Sequence, residues 1–174
     1  MKHTGYTIGA DPEIILTRGG KPIGSERVIP DLKGLVNRDG FQVELNPPAS
    51  ISPAVLGSWI SEAFRRLDRL TKAHDGVEIC FDPVVKVDPE EFEGLSQRSR
   101  ILGSEPSHNI HGIKPILIDG ATYPLRSAAG HIHFGLRGDL FDERVRLVGW
   151  LDVFVGNTLV LIDRDPLNIV RREN

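Results

Sequence analysis

The stretch Asp39-Gly40-Phe41-Gln42-Val43-Glu44-Leu45-Asn46-Pro47-Pro48 decides how the chain folds. From Phe41 to Leu45 apolar and polar residues alternate strictly, which in an extended strand sends Gln42 and Glu44 to one face and Phe41, Val43 and Leu45 to the other. Such a strand buries one side and leaves an acid on the other. Asn46-Pro47-Pro48 ends it, because proline lacks the ladder donor and restricts the residue before it.

Upstream, residues 6–16 and 21–25 flank Arg18-Gly19-Gly20-Lys21. Gly-Gly between extended apolar runs is a hairpin signal. Lys21 after two glycines lacks the spacing of a phosphate-binding loop, so the turn is the reading it supports. Downstream, Ser52-Pro53 is an N-cap with proline in the first turn. Leu56, Ile60, Ala63, Leu67 and Leu70 then recur at helical spacing, with Trp59 and Phe64 widening the stripe. This predicts a helix of about 20 residues. Its Arg65, Arg66, Arg69 and Lys72 are interspersed with Glu62 and Asp68, the pattern of a solvated face.

Residues 77–81 read as a strand, Asp88-Pro89-Glu90-Glu91 as the start of a short helix with acids at its positive end, and residues 101–112 as loop. Residues 130–136 read as another strand. A second long helix begins at about Asp139 or Phe141, with Val145, Val148, Leu151 and Val155 on one stripe. It is expected to fade at Gly156-Asn157, leaving residues 158–163 strand-like. Strands and helices mix without β-α-β alternation, which predicts an α+β class with antiparallel pairing.

The 174 residues suit a single domain. With 40% apolar residues, 26% charged residues and a net charge of −3, the composition is that of a globular protein, which excludes disorder for the bulk of the chain. Lys and Arg accumulate nowhere beyond one helix face, so the footprint of a nucleic-acid binder is missing. A small-molecule or peptide substrate is expected instead. The single cysteine, Cys80, cannot form an intramolecular disulfide and lies in an apolar run, the setting of a buried structural thiol. The N-terminus lacks a signal-peptide core. The most apolar stretch, residues 147–162, is broken by Asp152 and Asn157, short of the roughly 18 uninterrupted residues of a membrane span. A soluble, cytoplasmic protein is the expectation.

Three segments put ionisable side chains where a strand would bury its other face. Asp11 and Glu13 share a face if a strand runs through Pro12, Gln42 and Glu44 share a face with Asn46 beyond, and His131 and His133 point opposite to Ile132 and Phe134. Each segment alone is weak: an H-x-H pair is as readily two hydrogen-bonded histidines, and a D-x-E beside a turn is often solvated surface. Together they describe a divalent-cation site, and the oxygen-rich set favours Mg²⁺ or Mn²⁺ over Zn²⁺.

Gly9-Ala10-Asp11-Pro12-Glu13, the Asp39 to Ala49 segment and Arg126-Ser127-Ala128-Ala129-Gly130-His131-Ile132-His133-Phe134-Gly135 resemble the phage-type COOH-NH2 ligases, or amidoligases, of the wider glutamine synthetase and glutamate-cysteine ligase fold. The segments Leu102-Gly103-Ser104-Glu105-Pro106 and 151–163 are similar as well, so the resemblance covers essentially the whole chain in order. It implies a curved, mainly antiparallel sheet with one polar face, packed by two long helices. It also implies an ATP-dependent ligase in which a carboxylate takes the γ-phosphoryl group and the acyl phosphate is attacked by an amine. By that pattern Glu13, Glu44 and His131 are metal ligands, and Asp11 is a further ligand or an acceptor behind them. Arg126 and His133 lie toward the nucleotide phosphates or the activated carboxylate, and Gln42 and Asn46 orient. Asp11 stands where distant glutamine synthetases use Glu, a shorter arm that weakens its claim to direct ligation. Homo-oligomers are compatible with the fold.

The family pattern continues past Val170-Arg171-Arg172-Glu173-Asn174 with a Tyr-Gly element, an Arg and a Glu-Tyr-Arg strand. This implies a catalytic-type domain lacking its C-terminal portion, and Arg171 would begin the phosphate-binding element. A fragment, completion by another chain and loss of catalysis all stay open. Two other classes compete with the ligase: a metal-dependent hydrolase or cupin-like protein using the histidine pair, and a non-catalytic binding module that keeps the fold.

Overall fold

In the computed structural model, which describes residues 6–102, 120, 123–136 and 141–162, strand β4 (Val36–Asp39) returns as β5 (Gln42–Leu45) through a two-residue turn. Asp39 stands opposite Gln42, and Gly40 takes a φ of +56° that a side chain would oppose. Phe41 is the second turn residue, so it leaves the face it was expected to share with Val43 and Leu45. It is fully buried in a different core.

β2 (Glu13–Arg18) and β3 (Lys21–Ile23) form the expected hairpin, with Arg18 opposite Lys21. Gly19 and Gly20 sit at φ +58° and +77°, the positive pair that a type I′ turn requires. β2 pairs with β5 through Glu13 and Ile14 and with β6 (Val77–Cys80) through Ile15 to Arg18, so the sheet curls into an antiparallel half-barrel. β1 (Tyr6–Ala10) pairs with β9 (Ile132–Leu136), and β7 (Val84–Lys86) with β8 (Leu125–Ser127), both antiparallel.

Each face of the central sheet carries a core. On one, Ile14, Leu16, Val36, Val43 and Leu45 pack with Ala63 and Leu67 of α1 (Pro53–Lys72). Burying a Leu or Val of this kind contributes about 1.5–3 kcal/mol over leaving it exposed. α1 begins where expected: the Ser52 hydroxyl accepts from the Val55 amide and Pro53 opens the first turn. Glu62 pairs with Arg65 and Arg69, and Asp68 with Lys72, all on its solvated side.

On the opposite face Ile15, Phe41, Val85, Val87, Leu95 and Ala128 form the second core. Two short helices, α2 (Pro89–Glu93) and α3 (Gln97–Arg100), close it, and buried-edge carboxylates fix both of them. Glu91 accepts from the Gly24 amide at 2.9 Å and from Arg27 Nε at 3.1 Å, and Glu26 accepts from the Ser96 amide at 2.8 Å and the Ser99 hydroxyl at 2.6 Å. Cys80 packs against this core, and burial pushes its thiol pKa up, as befits a structural cysteine.

The C-terminal helical region departs from expectation. α4 (Phe141–Leu151) runs through a π-helical turn (Asp152–Gly156) into α5 (Asn157–Ile162), so residues 158–162 are helical and not strand-like. The wider turn carries the helix past Gly156, and the Thr158 hydroxyl donates to the Phe154 carbonyl at 2.8 Å. Asp163, and most of the loop expected at 101–112, lie outside the described residues. Val145, Val148 and Val155 are 40%, 39% and 47% exposed, so that stripe does not cover the sheet. Among the described residues, one long helix packs on the sheet where two were expected. No helix of the described residues is long and apolar enough to cross a membrane.

Candidate functional site

The polar half of the central sheet is built by register. Glu13 of β2 lies directly opposite Glu44 of β5, and Asn37 of β4 stands opposite Glu44 on its other side. Directly opposed residues share a face, so Glu13, Glu44, Gln42, Asn37 and Asp39 all project from the side away from α1. The D-x-E segment is not one strand: β1 stops at Ala10, and β2 starts at Glu13. Pro12 supplies no ladder donor, yet its carbonyl accepts from the Leu45 amide at 2.8 Å, which ties the break to β5.

That break turns Asp11 toward β9. Its Oδ2 lies 2.9 Å from His133 Nε2, its Oδ1 lies 3.2 Å from His131 Nδ1, and Oδ1 also accepts from the His131 amide at 3.2 Å. One carboxylate therefore orients both imidazoles. Asp11 is 19% exposed and the rings are 57% and 60% exposed, so each ring keeps a free edge toward solvent. The Glu13 carboxylate accepts from the Ala129 amide at 2.9 Å, fixing the approach of the H-x-H segment to the sheet.

Glu44 accepts from Asn46 Nδ2, which fixes the direction of its carboxylate. Burial pushes the Glu44 carboxyl above its ordinary pKa. The Asn46 hydrogen bond opposes this, and the charges of Asp39, Asp11 and Glu13 add to it. Asp39 is likewise pushed up, first by burial, against the pull of Arg98 and with the added push of Asp11. Asp39 was not among the expected site residues. Its signal was present in the sequence, since in a hairpin turning at Gly40 the residue before the turn shares the face of Gln42.

The expected ligand set is brought to one region as two groups, Glu13 with Glu44 and Asp11 with the two imidazoles. Among the described residues no three His, Cys, Asp or Glu side chains converge closely enough to hold a metal ion as they stand. The donor chemistry nonetheless suits a hard cation: burial raises the Glu44 carboxyl and the neighbouring carboxylate charges add to it, a cost that a positive charge would relieve. Gln42 is half-buried on the same face, opposite Asp39.

Arg126 goes elsewhere. It is 1% exposed, and its Nη1 donates to the carbonyls of Tyr123 at 2.7 Å and Leu125 at 2.8 Å. Its Nη2 donates to Gly120 O at 2.6 Å and to Arg100 O, and the guanidinium stacks 4.5 Å from the Phe92 ring. All four terminal N–H donors are held inside the second core, so the structure does not bring Arg126 to the open face with the histidines. Arg171 lies outside the described residues.

Beside Glu44 opens a cleft of about 530 Å³, within the range of small-ligand sites. Glu44, Asn37 and Asn46 line it together with the charged residues Asp31, Lys33, Arg38 and Arg98. The segment carrying Lys33 is held over the sheet edge by the Gly34 amide donating to Asn37 Oδ1 at 2.8 Å and the Asn46 amide donating to Leu35 O at 2.9 Å. No protein-family model, curated protein or solved structure matches the chain.

Proposed function

We propose that the chain carries the active-site sheet of an ATP-dependent carboxylate-amine ligase that forms an amide through an acyl phosphate. The observation that carries this reading is the register Glu13 opposite Glu44, beside an Asp11 that holds both His131 and His133. The three segments, far apart in sequence and the ones that resemble the amidoligase motifs, come into one region as two groups of side chains, with Glu44 lining a small-ligand cleft.

In this reaction a substrate carboxylate oxygen attacks the γ-phosphorus of ATP and ADP leaves. An amine nitrogen then attacks the acyl carbon, phosphate leaves, and the nitrogen gives up a proton. A negative nucleophile must approach a negative phosphoryl group, so the site has to neutralise charge before it can do chemistry. Glu13 and Glu44 would hold Mg²⁺ or Mn²⁺, which when bound supplies that neutralisation. Asp11 fixes the rings so that His131 Nε2 and His133 Nδ1, the nitrogens not engaged by it, are available to donate to phosphate or acyl oxygens. Asn46 keeps Glu44 oriented, and Asp39 deepens the negative field that draws in a cation. Arg126 has no part in the chemistry here; it supports the second core.

The test is phosphate release from ATP in the presence of Mg²⁺, measured with and without a panel of carboxylates and amines. Release that requires both partners supports the ligase. Nucleotide-independent hydrolysis that depends on a transition metal would instead indicate the hydrolase class.

A further inference from the structure

Strand β9 presents an open edge. In the β1–β9 ladder Ile8 stands opposite Phe134, yet the Ile8 amide donates to Ser50 O at 2.8 Å and the Ser50 amide donates to Ile8 O at 2.8 Å. Ile8 and Phe134 are therefore a non-hydrogen-bonded pair, and the N–H and C=O of Phe134 point away from β1. By alternation those of Ile132 and Leu136 do the same. Among the described residues no strand takes them up. The side chains at this edge are uncovered too: Ile132 is 72% and Phe134 48% exposed, on the face opposite to His131 and His133. Edge strands are usually blunted by charge or proline. The terminal strands of the central sheet follow that rule, with Lys21 and Pro22 in β3 and Arg38 and Asp39 in β4. Ile132-His133-Phe134-Gly135-Leu136 carries no lysine, arginine, acid or proline.

We infer that this edge docks β9 of a second copy of the chain, antiparallel, about a two-fold axis through Phe134. The strand is self-complementary in that register. Phe134 meets the partner's Phe134, and Ile132 meets the partner's Leu136, as hydrogen-bonded pairs that each exchange two backbone bonds. Aromatic stands opposite aromatic, and no like charges oppose one another. His133 takes the closer, non-hydrogen-bonded position against the partner's Gly135, which has no side chain to collide with the imidazole. The pairing joins the histidine-bearing faces of two copies into one continuous sheet surface. It does not depend on the ligase reading. A five-residue ladder is small beside the roughly 800 Å² per partner of a standard interface, so the dimer is expected to dissociate at about 10–100 µM.

The test is sedimentation of the full chain from about 10 µM to 1 mM, which should show a monomer–dimer equilibrium. Over the same range hydrogen exchange should slow at the Phe134 amide, which points out of the ladder, and stay constant at His133, which already bonds within it. Phe134→Lys and Phe134→Glu should each weaken the dimer roughly tenfold by opposing like charges across the axis, and an equal mixture of the two should pair again. Phe134→Pro removes a donor that the chain's own ladder does not use, so it should abolish the dimer with the circular dichroism unchanged. A monomer at every concentration overturns the inference, and so does a dimer that survives all three variants. Lys and Glu variants that stay apart when mixed overturn the two-fold register. A Phe134 amide already protected in the dilute monomer also overturns the inference, because the chain would then cover its own edge.

Discussion

Asp11 Oδ2 lies 2.9 Å from His133 Nε2, and the same carboxylate holds the His131 ring through its other oxygen. The contact exists because Pro12 interrupts the sheet and frees Asp11 to leave the face of Glu13. Stability and activity should therefore respond differently to its loss. Replacing Asp11 with Ala should cost only about 0.5–1 kcal/mol in a urea titration, since the rings are mostly exposed. Amine-dependent phosphate release should fall on the order of a hundredfold, as unoriented imidazoles no longer meet the reacting groups. Unchanged turnover would remove the pair from the proposed mechanism.

Glu44 offers an opposite signature. Its carboxyl pKa is raised by burial and by the charges around it, so the ionised form is a burden on the folded state above that raised pKa, and the burden lifts as pH falls through it. Glu44→Gln keeps an acceptor for Asn46 and removes the charge. The metal-free variant should melt higher than the parent, by roughly 2 °C at neutral pH, and the gap should close in acid. Calorimetry should find that the same variant has lost Mg-ATP binding. A stabilised protein that still binds Mg-ATP would show that Glu44 is not a ligand.

The carboxyl of Glu26 is shifted the other way. Burial would raise it, but hydrogen bonds from Ser96 and Ser99 outweigh burial and lower it. Its contribution is present above the unfolded pKa and is lost as pH falls through the depressed folded value. Thermal melts from pH 6 downward should show an acid limb that Glu26→Gln flattens. If both proteins lose stability in parallel, some other carboxylate sets that limb.

Much of this was legible in sequence. The Gly19-Gly20 hairpin, the Ser52-Pro53 cap and the one-sided charge of β5 rest on local rules, and they stand as read. Phe41 escaped because alternation says nothing about where a turn begins; Gly40 moved it out of the ladder. Gly156-Asn157 predicts the end of the C-terminal helix, and a π turn over Asp152–Gly156 carries it on. Asp39 shares the face of Gln42 through the hairpin turning at Gly40, a signal that lies in the turn and not in the alternation of one strand.

Arg126 should behave as a core residue. Arg126→Met removes the donors of four backbone carbonyls, one buried and three part-buried, and should destabilise the fold by on the order of 3 kcal/mol in urea. Where the variant remains folded, its KM for ATP should match the parent's. A selective rise in KM would return Arg126 to the nucleotide.

The way Arg126 is held also bears on how proteins of this kind are compared. Its guanidinium joins the carbonyls of Arg100, Gly120 and Tyr123, so a change at Arg126 is felt first as lost packing around the second core. A screen scoring variants by survival alone would rank Arg126 beside Glu44 and group them as one functional unit. Only an assay that separates abundance from turnover would tell a clasp from a catalyst.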